Sequence, residues 1–308
     1  MAALGNIGVR SPYFVNYTDS TSTAESSKIE VTIGGTLRYT VIKNTGTSVR
    51  LDISELVRDY ITPTFSGSLN IGTVGAVSGS LAVSFYNDIN ATGTQVDTDS
   101  STFTAYDGYR YFSEGNNFPI PTGVLLSGTT IYAPENTTGA FYVMGAGGSL
   151  SIESYGLSVT SAAGITIKRQ PCDRHTPIKC VFINKFGVHQ EFYFFAKKVD
   201  SFSTSGEKYS SNIVAGDGTF DSKKHQFVDF NKNGSVKYNL STGYVGQEVN
   251  PYIQQLMLSE QVWLIISGSV VPVRITSSNV QYKTSLNDKL VAYTMDFEQS
   301  NDIISTIK

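Results

Sequence analysis

The apolar residues of this chain come in short runs that stop at clusters of Gly, Asn, Ser and Thr. "KIEVTI" (28–33), "LRYTVIK" (37–43) and "SVRLDI" (48–53) set the pattern, parted by Gly34-Gly35 and by Asn44-Thr45-Gly46-Thr47. Runs this short and this rich in β-branched residues suit strands joined by tight turns, and they leave little room for long amphipathic helices. The charge content points the same way. Asp, Glu, Lys and Arg make up 16% of the chain, against about 25% in an average soluble domain, so the residues that long surface helices draw on are scarce. With 40% apolar residues over 308 positions, the chain has material for two ordinary domains or one large sandwich or barrel. The expected fold class is all-β, mainly β with one or two short helices.

Two segments carry helix signals. In "LDISELVRDYI" (51–61), Asp52 and Glu55 have capping-box spacing, Leu51 can staple onto Leu56, and Thr62-Pro63 closes the turn. In "EVNPYIQQLMLSE", Asn250 can cap and Pro251 suits the first turn. Tyr252, Ile253, Leu256 and Met257 then form an apolar stripe over about 250–260.

Charge is uneven along the chain. Residues 1–167 hold 7 basic and 13 acidic residues, and residues 168–308 hold 16 and 13. The switch coincides with "TSAAGITIKRQP" and places a domain boundary near 168. Residues 1–167 read as a β-sandwich-like domain with a loop-rich acidic insert at about 64–160, carrying "SLAVSFYN" and "GVLLSGTTIYA" as a second sheet or projecting lobe. Residues 168–308 read as a second β domain with the one helix. Within it, "IKCVFINKFGVHQEFYFFAKK" is a hairpin that turns at Asn184-Lys185-Phe186-Gly187, with Gly187 supplying positive φ. "QVWLIIS", "VVPVRIT", "VQYKTS" and "LVAYTMDFEQ" follow as antiparallel neighbours.

Chemistry is sparse. A net charge of −3 argues against nucleic acid as a partner. No apolar run reaches the ~20 residues of a membrane span, so no membrane insertion is expected. The start shows no secretory signal, and a cytoplasmic product is the expectation. "PCDRHTPIKC" gathers both cysteines, Cys172 and Cys180, around His175. The spacing is too wide for a zinc knuckle and offers three ligands where four are needed. Two separate structural thiols are the first expectation, a disulfide the second and a metal the third. "DFNKNGSVKYNL" (229–240) opens like a calcium loop, but Leu240 stands where a bidentate Glu is required. Asn233-Gly234 reads there as the turn of a hairpin. No catalytic motif, cofactor loop or metal set is found, so catalytic, metal and cofactor residues are all expected to be none.

Four blocks carry a resemblance: "RSPYFVNYT" with "LRYTVIK" and "DISELVRDYI"; the 178–198 hairpin; "YNLSTGYVGQEVNPYIQQLMLSEQVWL"; and "VPVRITSSNVQYKTSLNDKLVAYTMDFEQSNDII". Together they resemble virion structural proteins of tailed bacteriophages, many of them marine. The last block is also similar to tail-tube-like and distal-tail proteins, whose β-barrels form rings. The resemblance implies a non-enzymatic subunit of a tail or tail tip, located in the virion and assembled in the host cytoplasm. It implies a tail-tube-like β-barrel or sandwich for 168–308, and as partners copies of itself and other tail proteins. It brings no catalytic residues. Phe182, Phe186, Phe192, Tyr193, Phe194 and Phe195 of the hairpin are the candidate assembly interface. The alternative is a tail-fibre module for a host glycan or receptor, with Tyr106, Tyr109, Tyr111 and Phe112 of "TAYDGYRYF" as stacking platforms. A glycan hydrolase would need two carboxylates about 5–9.5 Å apart, and no pair stands out.

Overall fold

The computed structural model describes residues 2–44, 46–172, 174–281 and 291–305. In chain order the strands are β1 (Ala2–Gly8), β2 (Phe14–Thr18), β3 (Ser26–Ile33), β4 (Thr36–Lys43) and β5 (Ser48–Asp52), followed by the short helix α1 (Ser54–Arg58). Next come β6 (Val77–Tyr86), β7 (Gln95–Tyr106), β8 (Gly123–Val124), β9 (Thr130–Pro134), β10 (Gly139–Met144), β11 (Leu150–Tyr155), β12 (Ser161–Ala162) and β13 (Ile165–Gln170). The rest are β14 (Ile178–Ile183), β15 (His189–Phe194), β16 (Val199–Ser210), β17 (Phe227–Ser241), helix α2 (Asn250–Leu258), β18 (Val262–Ile266), β19 (Ser269–Ile275) and β20 (Thr294–Gln299). The fold is all-β with two helices, as the run pattern requires.

The amino-terminal core is a sandwich. A five-stranded sheet, β1-β7-β6-β3-β4, faces the β2-β5 ribbon. Strict alternation in β3 buries Ile29, Val31 and Ile33 against Val15, Tyr17, Val49 and Leu51 of the ribbon. The Tyr17 hydroxyl crosses the layer to Ser101 Oγ at 2.9 Å. Helix α1 closes one end with Ile53 and Val57. Asp52 Oδ1 fastens its start by accepting from the Ser54 and Tyr13 N–H groups, both at 3.0 Å.

Residues 64–160 do not form a projecting insert. β6 and β7 are inner strands of the first sheet, and Leu81, Val83, Phe85 and Phe103 lie in its core. The remainder folds into two three-stranded sheets, β11-β10-β8 and β12-β13-β9. The boundary near 168 is corrected as well, because Lys168 sits mid-strand in β13, paired with Tyr132 of β9. The connection to the second half is 171–177.

The second half is built on a fully antiparallel sheet, β15-β14-β18-β19-β20-β17-β16. α2 lays Tyr252, Ile253 and Leu256 against one face. No ladder joins the end strands β15 and β16 among the described residues, so the sheet is open rather than a closed barrel. The 178–198 hairpin turns where expected. Gly187 has φ +77, and a Cβ there would meet the Asp107 backbone at 2.7 Å, so both turn and packing demand glycine. Asn250 does not cap α2: it lies inside the helix, behind a 3-10 turn, and its side chain accepts from the Tyr293 hydroxyl at 2.5 Å. "VQYKTS" falls largely outside the described residues.

The two halves share their interior. Tyr132 of β9 belongs to the core of the second sheet. Val188 and Phe186 of the β14–β15 turn pack with Tyr106, Phe118, Leu125 and Tyr142. Between them runs a buried amide network. Asn184 Nδ2 donates to Leu125 O and to Gln190 Oε1, both at 2.9 Å. The Ser127 hydroxyl lies 2.8 Å from Oε1 of both Gln190 and Gln255. At the rim, Glu260 pairs with Arg58 at 2.8 Å and Arg10 at 3.1 Å.

Candidate functional site: a projecting two-stranded arm

β16 and β17 leave the second sheet as a ribbon. The inner part of β17 pairs with β20 from Lys237 to Ser241, while the outer part has β16 as its one strand partner, with Asn233 and Gly234 also bonded to residues 303–304. From Ser201 to Ser210 the ribbon extends about 30 Å at roughly 3.3 Å per residue. Every residue of β16 is exposed. That exposure is not polar throughout: Phe202, Tyr209, Phe220, Phe227 and Phe230 are 62, 50, 68, 61 and 39% exposed. Tyr209 and Phe230 meet edge to face at 5.8 Å, and Lys208 lies over the Phe227 ring at 5.8 Å. At the tip, Val214 bridges Phe220 around an Asp217-Gly218 turn, with the Asp217 carboxylate accepting from the Thr219 N–H at 3.0 Å.

A two-stranded ribbon with no buried face is marginal in water. β16 is also an edge, so one side of its ladder offers unpaired N–H and C=O groups to another strand. Exposed aromatics on such an edge are the usual marks of a contact surface.

The Asn233-Gly234 turn is corrected here. Both residues lie within β17, opposite Ser205 and Thr204. A bulge does the bending instead: Asn231 takes φ +51, a conformation Asn tolerates, at the register shift opposite Ser205–Glu207. Asn233 is recruited elsewhere. Its Oδ1 accepts from the Ile304 N–H and its Nδ2 donates to the Ile304 carbonyl, each at 3.0 Å, so the side chain imitates a strand neighbour. The segment 229–240 is therefore a strand rather than a loop that could wrap a cation.

The nominated assembly aromatics sit elsewhere. Phe182, Phe192, Tyr193 and Phe194 are buried and Phe186 and Phe195 partly so. Hairpin β14–β15 is covered by α2 on one face and by the amino-terminal half on the other, so these rings fill the chain's own core. Of the proposed stacking platforms, Tyr106 and Tyr109 are buried and Tyr111 half-buried; Phe112 alone is fully exposed. It stands on a 3-10 turn held by Glu114, which accepts from the Tyr111 N–H at 2.9 Å and pairs with Lys185. Beside it lies a cleft of about 320 Å³ lined by Arg10, Tyr109, Tyr111 and Leu258.

Cys180 is wholly buried in β14 and burial pushes its thiol well up; Cys172 is half-buried in the connection, and no disulfide joins the two. Among the described residues no three His, Cys, Asp or Glu side chains come together as a metal site. No helix there is long and apolar enough to cross a membrane. His189 is buried beneath Phe65 and Trp263, with ring centroids 5.7 and 5.4 Å away. Burial pulls its pKa down to about 4, partly offset by the Thr64 backbone.

The arm escaped the sequence reading because "VDSFSTSGEKYS" has no apolar face. The signals that could have found it were the alternation of Val236, Tyr238 and Leu240 in β17 and the Asp217-Gly218 pair. Compared with models of known families and with curated proteins, the chain matches no family model and no curated protein.

Proposed function

We propose that the chain is a non-enzymatic structural subunit of a bacteriophage virion, a tail or tail-tip ring protein that assembles with copies of itself and contacts other tail proteins. The observation that carries the reading is the arm, an unpaired twelve-residue edge bearing exposed aromatics on a ribbon with no core of its own. A subunit that completes its folding surface only against a neighbour has this form. The resemblance of the sequence blocks to phage virion proteins supplies the setting, with assembly in the host cytoplasm and residence in the tail.

The test replaces residues 203–233 by a two-residue turn. Light scattering and electron microscopy of the purified full chain should show oligomers or rings, and the shortened chain should be monomeric with its core intact. A wild-type chain that stays monomeric at high concentration and is absent from tail structures would remove the proposal.

One observation favours a second reading, a receptor- or glycan-binding module: the full exposure of Phe112 beside its cleft. Under that reading Phe112→Ala abolishes binding to host-surface glycans and leaves assembly unchanged.

A further inference from the structure

The two large sheets each end in a long edge strand, and the two edges are unlike. β4 ends the first sheet and is paired only with β3. Its eight residues include Leu37 and Ile42, about half exposed at 52 and 51%, and its charges are both positive, Arg38 and Lys43. β16 ends the second sheet and carries Asp200, Glu207 and Lys208. The opposite end of the first sheet is taken: segment 118–120 bonds to β1 through Gly8 N to Phe118 O and Ile120 N to Asn6 O, at 2.9 and 2.8 Å. The opposite end of the second, β15, is packed against β9 and β10 of the amino-terminal half.

Four of the five charges on these edges, Asp200 being the exception, have no ion-pair partner among the described residues. Arg38 lies over the Tyr60 ring at 5.1 Å. Lys43 Nζ donates to the Arg50 backbone carbonyl at 2.5 Å. Among the described residues Arg38, Lys43 and Glu207 make no ion pair, and only Asp200 does, with Lys198. A basic edge repels its own copy, which is how edge strands are kept from self-pairing. The same charges attract the acids of β16, Asp200 and Glu207, which outnumber its one base, Lys208, so repulsion of β4 by β4 favours β16 as its partner.

We infer that β4 of one copy adds to β16 of the next, joining the first sheet of one subunit to the arm of its neighbour. The contact is heterologous, since the two surfaces differ, and such a contact repeats head to tail until it closes into a ring or runs on as a filament. Backbone ladder bonds hold it. Arg38 and Lys43 facing Asp200 and Glu207 set which edge is accepted, and Leu37 and Ile42 lie alongside the exposed aromatics of the arm. The inference rests on the self-assembly reading above and names the two surfaces that meet.

The test uses full-length chains in a Cys172→Ser background, leaving Cys180 buried. Thr40→Cys on one chain and Ser205→Cys on another place thiols at the exposed middle of each edge. Mixed and treated with a short bismaleimide, unlike chains should link to each other, and neither variant should link to itself. Arg38→Glu with Lys43→Glu should weaken association by about tenfold or more, and adding Asp200→Lys with Glu207→Lys should restore it. If the chain assembles in an arm-dependent way but 40–205 links do not form, or the charge swap fails to rescue, this pairing is wrong and the self-assembly reading stands. If arm removal leaves assembly unchanged, or the wild type is monomeric, both fall.

Discussion

The Tyr132 hydroxyl donates to Glu248 Oε1 across 2.8 Å and accepts from the Gly246 N–H at the same distance. Tyr132 lies on β9 and Glu248 in the turn that leads into α2, 116 positions further along. Lys168 of β13 also bonds Glu248, and its ammonium holds the carboxyl below its ordinary range against the upward push of burial. The two halves are thus sewn together at a polar seam as well as through a shared apolar core. Tyr132→Phe should cost about 1–2 kcal/mol, since it leaves the Gly246 N–H and one carboxylate lone pair unpartnered. Chemical denaturation followed by fluorescence and by circular dichroism should give one coincident transition, and residues 168–308 expressed alone should fail to fold.

Stability should fall on mild acidification because of His189. Its ordinary pKa of 6.5 drops to about 4 in the folded chain, so between those values the unfolded state binds more protons and stability rises with pH. The loss should begin below pH 6.5 and be complete near pH 4, amounting to about 3 kcal/mol at roughly 1.4 kcal/mol per pH unit. Denaturation midpoints at pH 7.5, 5.5 and 4.5 measure it. His189→Leu should flatten this part of the profile, and an unchanged slope in that variant would show the source to lie elsewhere.

The cysteines should be dispensable. Cys180→Ala removes one buried sulfur from the core and should cost about 1–2 kcal/mol. Cys172→Ser should cost less, since that thiol is half-buried and donates to the Gln170 carbonyl at 3.3 Å, a bond that a serine hydroxyl can also make. A reducing agent should leave the melting temperature of the wild type unchanged.

Calcium up to millimolar levels should also leave the melting temperature unchanged. In β17, Asp229 is paired with Lys232 and no loop surrounds it. Asn233→Ala should instead loosen the chain around Ile304, raising hydrogen exchange at residues 303–304 and at Gly234, with a global cost of about 1 kcal/mol.

The strands of the sandwich were legible because alternation over β3 and the turn glycines are local signals. Helix α2 was legible for the same reason, through Pro251 and the stripe from Tyr252 to Leu256. What could not be read was where strands go after they form. Phe182 and Phe194 look like an exposable hairpin face in the sequence, but their burial depends on α2 and on β9, dozens of residues away. Asn233-Gly234 has strong turn chemistry, and pairing with β16 and Ile304 outweighed it. The charge switch near 168 reflects surface composition, whereas the path of the chain is set by β13 pairing in parallel with β9.

β20 is synthesised well after β17, yet it lies between β17 and β19. Until residues 294–299 have left the ribosome, the hairpin β16–β17 has nothing to attach to on its inner side, and β19 presents an open edge. The emerging chain therefore passes through an interval in which two ladders await one strand. An early encounter between nascent copies could fill that slot with the wrong neighbour, and the delay grows with every residue of sequence separation that must be closed. Slowing translation between 241 and 294 should lengthen that interval and lower the yield of native protein.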